Sequence, residues 1–168
     1  MDFTKLRLSA PADSPNTDGI KIGSSYQIGI SSSVIGTGDD CIAILSGSRE
    51  IHISKLFCGP GHGISIGSLG GYDHENDVEG VYVRDSGLKG TTNGLRIKTW
   101  AKSHPLKASK IRYENIVMTD VMYPIIIDQD YCPSPPCSTQ VYMSITLFVY
   151  TFVYAYRYIF SLRTNVNQ

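Results

Sequence analysis

The chain has 168 residues, with 15 Lys and Arg against 15 Asp and Glu, so its formal net charge is zero. That balance excludes a strongly basic nucleic-acid binder and an acidic disordered tail. An apolar fraction of 42% is ordinary and sufficient for a core. Composition changes along the chain: all 16 glycines lie at or before Gly94, whereas eight aromatic residues crowd between Val141 and Phe160. Two regions are therefore expected, residues 1–140 and an apolar, aromatic-rich tail, 141–168.

The first nineteen residues contain no apolar run of the kind that forms a secretory signal and read as a strand entered midway. From Asp18 a repeat begins, and repeats decide a fold before single elements do. Asp18-Gly-Ile-Lys-Ile-Gly23, Asp40-Cys-Ile-Ala-Ile-Leu45, His62-Gly-Ile-Ser-Ile-Gly67 and Asn93-Gly-Leu-Arg-Ile-Lys98 align at steps of 22, 22 and 31 residues. A degenerate fifth copy is Tyr123-Pro-Ile-Ile-Ile-Asp128. Each of the first four copies is followed by a second alternating strand, at Gln27–Ile30, Glu50–Ile53, Gly80–Val83 and Lys110–Tyr113. A third apolar patch comes next, around Val34-Ile35, Leu56-Phe57, Leu88 and Ile116-Val117.

Three short strands per turn, apolar side inward and polar side outward, predict an all-β, right-handed parallel β-helix. One such coil cannot bury its inner face, but stacked coils can. Extra residues enter twice at one corner, over 70–77 and 99–107, where insertions usually build a binding face.

Cys41 and Cys58 could close a 17-residue step, or both could be buried thiols. Cys132-Pro-Ser-Pro-Pro-Cys137 suits a small disulfide. Neither pair has the spacing of a zinc site, and no metal is expected. The segment 141–160 is about long enough to cross a bilayer. It contains Arg157 and many Tyr, so it is a marginal span through which membrane association is conceivable. Its β-branched and aromatic content suits a strand or an aggregation-prone segment equally well.

The alignment places Asp18, Asp40, His62 and Asn93 in one column, with Asp39 beside Asp40. Arg96 and Lys98 alternate with Leu95 and Ile97 and are expected to face outward. Asp128 and Tyr131 follow on the next coil. Each feature alone has a bland explanation, since Asp-Asp and Asn-Thr-Asp-Gly are common turn sequences; their coincidence in register is what singles them out. Glycoside hydrolysis needs one carboxylic acid to protonate the leaving oxygen and another to activate water or attack. A third carboxylate nearby helps keep the acid protonated. Arg and Lys beside them suit an anionic sugar, because guanidinium pairs with carboxylate in a two-pronged way. Gly59-Pro-Gly-His-Gly63 lacks the Lys-Ser/Thr of a phosphate loop, and Gly61 and Gly63 are expected to permit close approach of backbone and ligand.

Asn16-Thr-Asp-Gly19, Gly38-Asp-Asp-Cys41, Gly61-His-Gly63 and Arg96-Ile-Lys98 resemble, in order and spacing, the four signature motifs of the polygalacturonases, glycoside hydrolase family 28. Ser14 to Gln140 is similar to the plant branch. The resemblance implies inverting hydrolysis of α-1,4-galacturonosyl linkages in pectin, endo or exo, without a cofactor. It implies that Asp39 is the general acid and that Asp18 and Asp40 position and deprotonate water. His62 would tune the acid. Arg96 and Lys98 would grip the substrate carboxylate, and Tyr131 would line the subsite. It also implies a Cys41–Cys58 disulfide, pectin or polygalacturonate as the partner, a monomer in the full-length form, and an extracellular, cell-wall location. The family carries a secretion signal and further coils on both sides, so the chain reads as a truncated member. The alternative is an inactive β-helix remnant that at most binds acidic polysaccharide. A calcium-dependent lyase on the same fold would leave the Asp-Asp/His column without a task.

Overall fold

In the computed structural model, residues 1–101, 103–134 and 137 are described, together with the backbone of 150–155. Among these there is no helix; twelve strands form two parallel sheets. The first sheet contains β1 (Asp2–Thr4), β2 (Arg7–Ser9), β4 (Tyr26–Gly36), β6 (Arg49–Cys58), β8 (Val78–Lys89), β10 (Ala108–Thr119) and β12 (Tyr150–Ala155). The second contains β3 (Ile20–Ile22), β5 (Ile42–Ile44), β7 (Ile64–Leu69), β9 (Asn93–Trp100) and β11 (Tyr123–Tyr131). The chain alternates between the sheets, so each strand pairs with its counterpart one coil away: β4 with β6, β6 with β8, β3 with β5, and β5 with β7. This is the expected parallel β-solenoid. The sequence around β12 lies otherwise outside the described residues, and so does most of the candidate membrane segment 141–160. The backbone of 150–155 pairs in parallel with β10.

The core consists of stacked columns. Ile20, Ile42, Ile64, Leu95 and Ile125 stand in register in the second sheet, as do Ile22, Ile44, Ile66, Ile97 and Ile127. The first sheet answers with Ile28, Ile51, Val81 and Ile111, and with Ile30, Ile53, Val83 and Tyr113. Branched side chains suit this arrangement because each packs flat on the one below.

One expectation is revised. The second strand and third patch of each coil are not separate strands but one strand of ten to twelve residues. Each is bent twice by residues of positive φ at matching register positions: first at Gln27, Glu50, Gly80 and Lys110, and then at Ser32, Lys55, Asp85 and Asn115, a row of five with Lys5. Past the second bend the alternation shifts. Leu56 and Cys58 turn inward, whereas Val34, Phe57 and Val117 are exposed. Asn115 Nδ2 donates to Asp85 Oδ1 at 2.8 Å, linking two of these bends across coils. Left-handed positions favour short polar side chains, which explains three of the five residues.

Both inserted segments follow strands of the second sheet and lean on each other. His104 N donates to Gly70 O at 2.9 Å, and Lys107 N to Asp77 Oδ1 at 2.7 Å. The cysteines form two disulfides, Cys41–Cys58 and Cys132–Cys137. The first ties the turn before β5 to the end of β6. Inner and outer faces of one strand should respond differently to truncation. Ile53→Ala, at a fully buried position, should cost about 2–5 kcal/mol, whereas Phe57→Ala, 43% exposed, should cost about 1 kcal/mol or less; urea midpoints of the two variants check this.

Candidate active site

The second sheet carries the chemistry on its outer face and at its N-terminal corner. Asp18 precedes β3, Asp39 and Asp40 precede β5, and His62 precedes β7. The register that stacks Ile20, Ile42, Ile64 and Leu95 also stacks the residues two positions earlier, so the expected column exists. His62 is seated by backbone: its N–H donates to Asp39 O at 2.8 Å, and the Cys41 N–H donates to Gly63 O at 2.8 Å. The glycines on either side have φ of 144° (Gly61) and 85° (Gly63). A Cβ on Gly61 would meet Asp39 O at 2.6 Å, and one on Gly63 would strike the carbonyls of Asn93 and Gly94. The close approach of backbone expected here is that of neighbouring coils.

The three carboxylates are held in three different ways. The Asp40 N–H donates to Asp39 Oδ1 at 2.8 Å and to Asp18 Oδ1 at 3.2 Å, so one amide gathers both neighbours. Asp39 Oδ1 also lies 3.0 Å from His62 Nδ1. Asp39 Oδ2 has no partner among the described residues, and its side chain is partly exposed. Asp18 Oδ2 pairs with Lys21 Nζ at 2.8 Å. Asp40 is buried: Oδ1 accepts from Ser65 Oγ at 2.7 Å and from Arg96 Nη2 at 2.9 Å, and Oδ2 accepts from Lys98 Nζ at 2.9 Å.

This changes the picture of one exposed strip. Arg96 and Lys98 do point away from the core, as alternation demands, but they lie over Asp40 and are themselves 12% and 8% exposed. Arg96 Nε further donates to Ser65 Oγ at 3.1 Å. Lys98 Nζ sits 5.1 Å from the Tyr131 ring centroid, and Tyr131 meets Trp100 edge to face at 5.3 Å. Partial burial raises the Tyr131 phenol above its ordinary value; Asp39, Asp40 and Asp128 add to this and Arg96 opposes it. Lys21 is raised above its ordinary value by its hydrogen bond to Asp18 and by that carboxylate's charge.

Beyond Tyr131, a cavity of about 510 Å³ lies at the C-terminal ends of the second sheet, between Trp100, Tyr131, Leu45, Tyr72 and Glu75. Glu75 is not a free acid there. Its carboxylate accepts from the N–H groups of Gly70, Gly71 and Tyr72 and braces the inserted segment. His52, His74 and His104 are exposed and away from the column, as expected.

Donor atoms of Asp39, Asp40 and His62 lie within 4.8 Å of one another, a spacing that could hold a metal ion. The chemistry argues otherwise, because Asp40 already accepts from a guanidinium, an ammonium and a hydroxyl. A divalent ion would have to displace Arg96 or Lys98.

Three residues of this site escaped the sequence reading. Lys21, Ser65 and Trp100 all sit on the outward side of their strands. Lys21 occupies the same place in its repeat as Arg96, and Ser65 stands in register between them, so the signal was present in the aligned outer row.

Asp40 is the structural centre of this arrangement. Asp40→Asn would leave Arg96 and Lys98 buried without a counter-charge and should destabilise the fold by about 3–5 kcal/mol. Asp39→Asn removes no ion pair to Lys or Arg and should cost far less. Thermal and urea unfolding of the two variants side by side is the check.

The sequence profile of the Glycosyl hydrolases family 28 matches residues 1–152. An exopolygalacturonase of Oenothera organensis is 48% identical over 147 residues, covering 88% of this chain and 41% of the relative. A polygalacturonase of Malus domestica is 58% identical over 127 residues, covering 76% and 27%. Among solved structures, a polygalacturonase from Erwinia carotovora ssp. carotovora superposes with a TM-score of 0.67 at 41% identity, over 77% of this chain and 35% of that one. An endo-xylogalacturonan hydrolase from Aspergillus tubingensis gives 0.65 at 28% identity, over 70% and 32%. The chain therefore spans well under half the length of these relatives. Within that span, the matched profile runs through every coil that carries the column, and the chain belongs to the Glycosyl hydrolases family 28.

Proposed function

We propose that this chain carries the catalytic column of a polygalacturonase, which hydrolyses α-1,4-galacturonosyl linkages in pectin. The observation that carries this reading is Asp39. One of its carboxyl oxygens accepts the Asp40 amide and faces His62, while the other has no partner among the described residues on a partly exposed side chain. A carboxylic acid held in that way can keep its proton on the open oxygen and deliver it to the leaving glycosidic oxygen. Asp18 is the base that orients and deprotonates water. Asp40 shares that task by position, since its amide holds both partners, while its own carboxylate is neutralised by Arg96 and Lys98. His62 modulates Asp39 through their contact. Arg96, Lys98 and Tyr131 form the edge of the subsite that receives a galacturonate residue.

Family membership supports an inverting outcome. Asp18 and Asp39 share one N–H donor, a tighter grouping than the roughly 6.5–9.5 Å usual between the carboxyl groups of inverting enzymes. The anomer released first, followed by proton NMR, decides the point: β for inversion, α for retention. The two disulfides suit an oxidising, extracellular setting such as the plant cell wall.

The test of the reaction is product analysis on polygalacturonate. New reducing ends without unsaturated product are expected. Unsaturated ends would point to a lyase, and no product of either kind to a polysaccharide-binding remnant. Asp39→Asn should lower turnover by about 10²–10⁴-fold or more, because an amide cannot donate the proton; turnover within a few-fold of normal removes the acid assignment. Fully methyl-esterified pectin should be a poor substrate, since it presents no carboxylate to the site's cations, and equal rates on both substrates would contradict that.

A further inference from the structure

The column holds three carboxylates, Asp18, Asp39 and Asp40, and three cations, Lys21, Arg96 and Lys98. With His62 neutral and all three acids ionised these charges cancel; with Asp39 protonated one positive charge is left over. Two of the cations are spent on one buried acid, and little of either is exposed. Lys21 differs: it is 61% exposed, and among the described residues its only ion-pair partner is Asp18. Its position is fixed by register. Lys21, Ala43, Ser65 and Arg96 stand in one outward row across β3, β5, β7 and β9. Three strand spacings, about 14 Å, separate Lys21 from Arg96, with the small side chains of Ala43 and Ser65 between them. Ala43 and Ser65 are themselves buried and Arg96 is engaged by Asp40, so Lys21 is the cation of this row that solvent and solutes can reach.

We propose that Lys21 is a specificity-determining residue: the accessible cation that receives a galacturonate carboxylate, with Asp18 as its resting partner. This rests on the polygalacturonate reading of the same site. With Asp39 protonated as the acid, Asp18 and Asp40 are cancelled by Arg96 and Lys98, and Lys21 is the remaining charge that attracts an anion. Its ammonium is charged at every pH at which the acids work, and the pull of Asp18 raises its pKa further. A substrate carboxylate entering here shares the ammonium with Asp18, so that one cation serves both the sugar and the carboxylate that handles water.

The probe is galacturonate itself, a carboxylate sugar with no linkage to cleave, titrated into the full chain and followed by amide NMR. Amides from Ile20 to Gly23 should shift on binding. Lys21→Gln should weaken binding about fivefold, the upper range for a single exposed ion pair, and Lys21→Arg should retain it. The methyl ester of galacturonate, which has no charge, should bind Lys21→Gln and the native chain alike. A well-dispersed spectrum for Lys21→Gln shows that the variant is folded. No shift around Lys21, unchanged affinity in Lys21→Gln, failure of Lys21→Arg to bind, or equal losses for acid and ester would each overturn the proposal. Hydrolysis of polygalacturonate is measured separately. Turnover with charge-independent binding removes only the Lys21 assignment, and charge-dependent binding without turnover removes only the enzymatic reading.

Discussion

Every outer side chain of this molecule takes its place from a parallel hydrogen-bond ladder whose register the inner columns enforce. A slip of one residue would move a whole strand's isoleucines to solvent and its polar residues into the core. With four or five large apolar side chains stacked per column, such a slip is prohibitively unfavourable. The same ladder delivers the chemistry: Asp18, Asp40 and His62 come from positions 22 residues apart, and Arg96 and Lys98 from a coil whose connection is longer. No local interaction holds these groups together. They meet because Ile20, Ile42, Ile64 and Leu95 do.

Within that frame the charges divide their labour. Asp40 has lost its water and is compensated by two cations and a hydroxyl, so it behaves as a fixed post. Its backbone amide, not its carboxylate, faces the other two acids. A buried ion pair of this kind adds little net stability against an apolar replacement, but it is severely destabilising to break. It also orders long side chains that would otherwise wander: Lys98 is held near Tyr131 and Arg96 against Ser65. Asp39 stays partly exposed, while Asp18 is mostly covered, its Oδ2 held by Lys21.

Much of this was legible from the residues. The repeat of Asp-Gly-Ile-Lys-Ile and its copies fixed the inner columns and aligned the site, because alternation is strict in strands with one buried face. The division of each coil was not. Ser32, Lys55, Asp85 and Asn115 carry no common residue type, so the left-handed bend at which one long strand turns leaves almost no trace in sequence. The roles of Arg96 and Lys98 were half visible. Alternation correctly turned them away from Leu95 and Ile97, but only the spacing between coils shows that both reach back to Asp40. Lys21 was hidden by its ordinariness: a lysine in a short strand is usually a solvated face, and its meaning comes from standing in row with Ser65 and Arg96.

The outward row of β3, β5, β7 and β9 has a consequence for how such proteins diversify. The inner columns and the outward row occupy opposite sides of the same strands, and no residue of the row belongs to an inner column. Lys21, mostly exposed, can therefore be exchanged almost independently of folding, whereas Ser65 and Arg96 are tied to the buried Asp40 and cannot. Reversing the charge at Lys21 would change the charge this row presents to solvent while the isoleucine stack beneath stayed intact. Divergence of ligand preference on this scaffold needs few mutational steps, and those steps need not pass through unfolded intermediates.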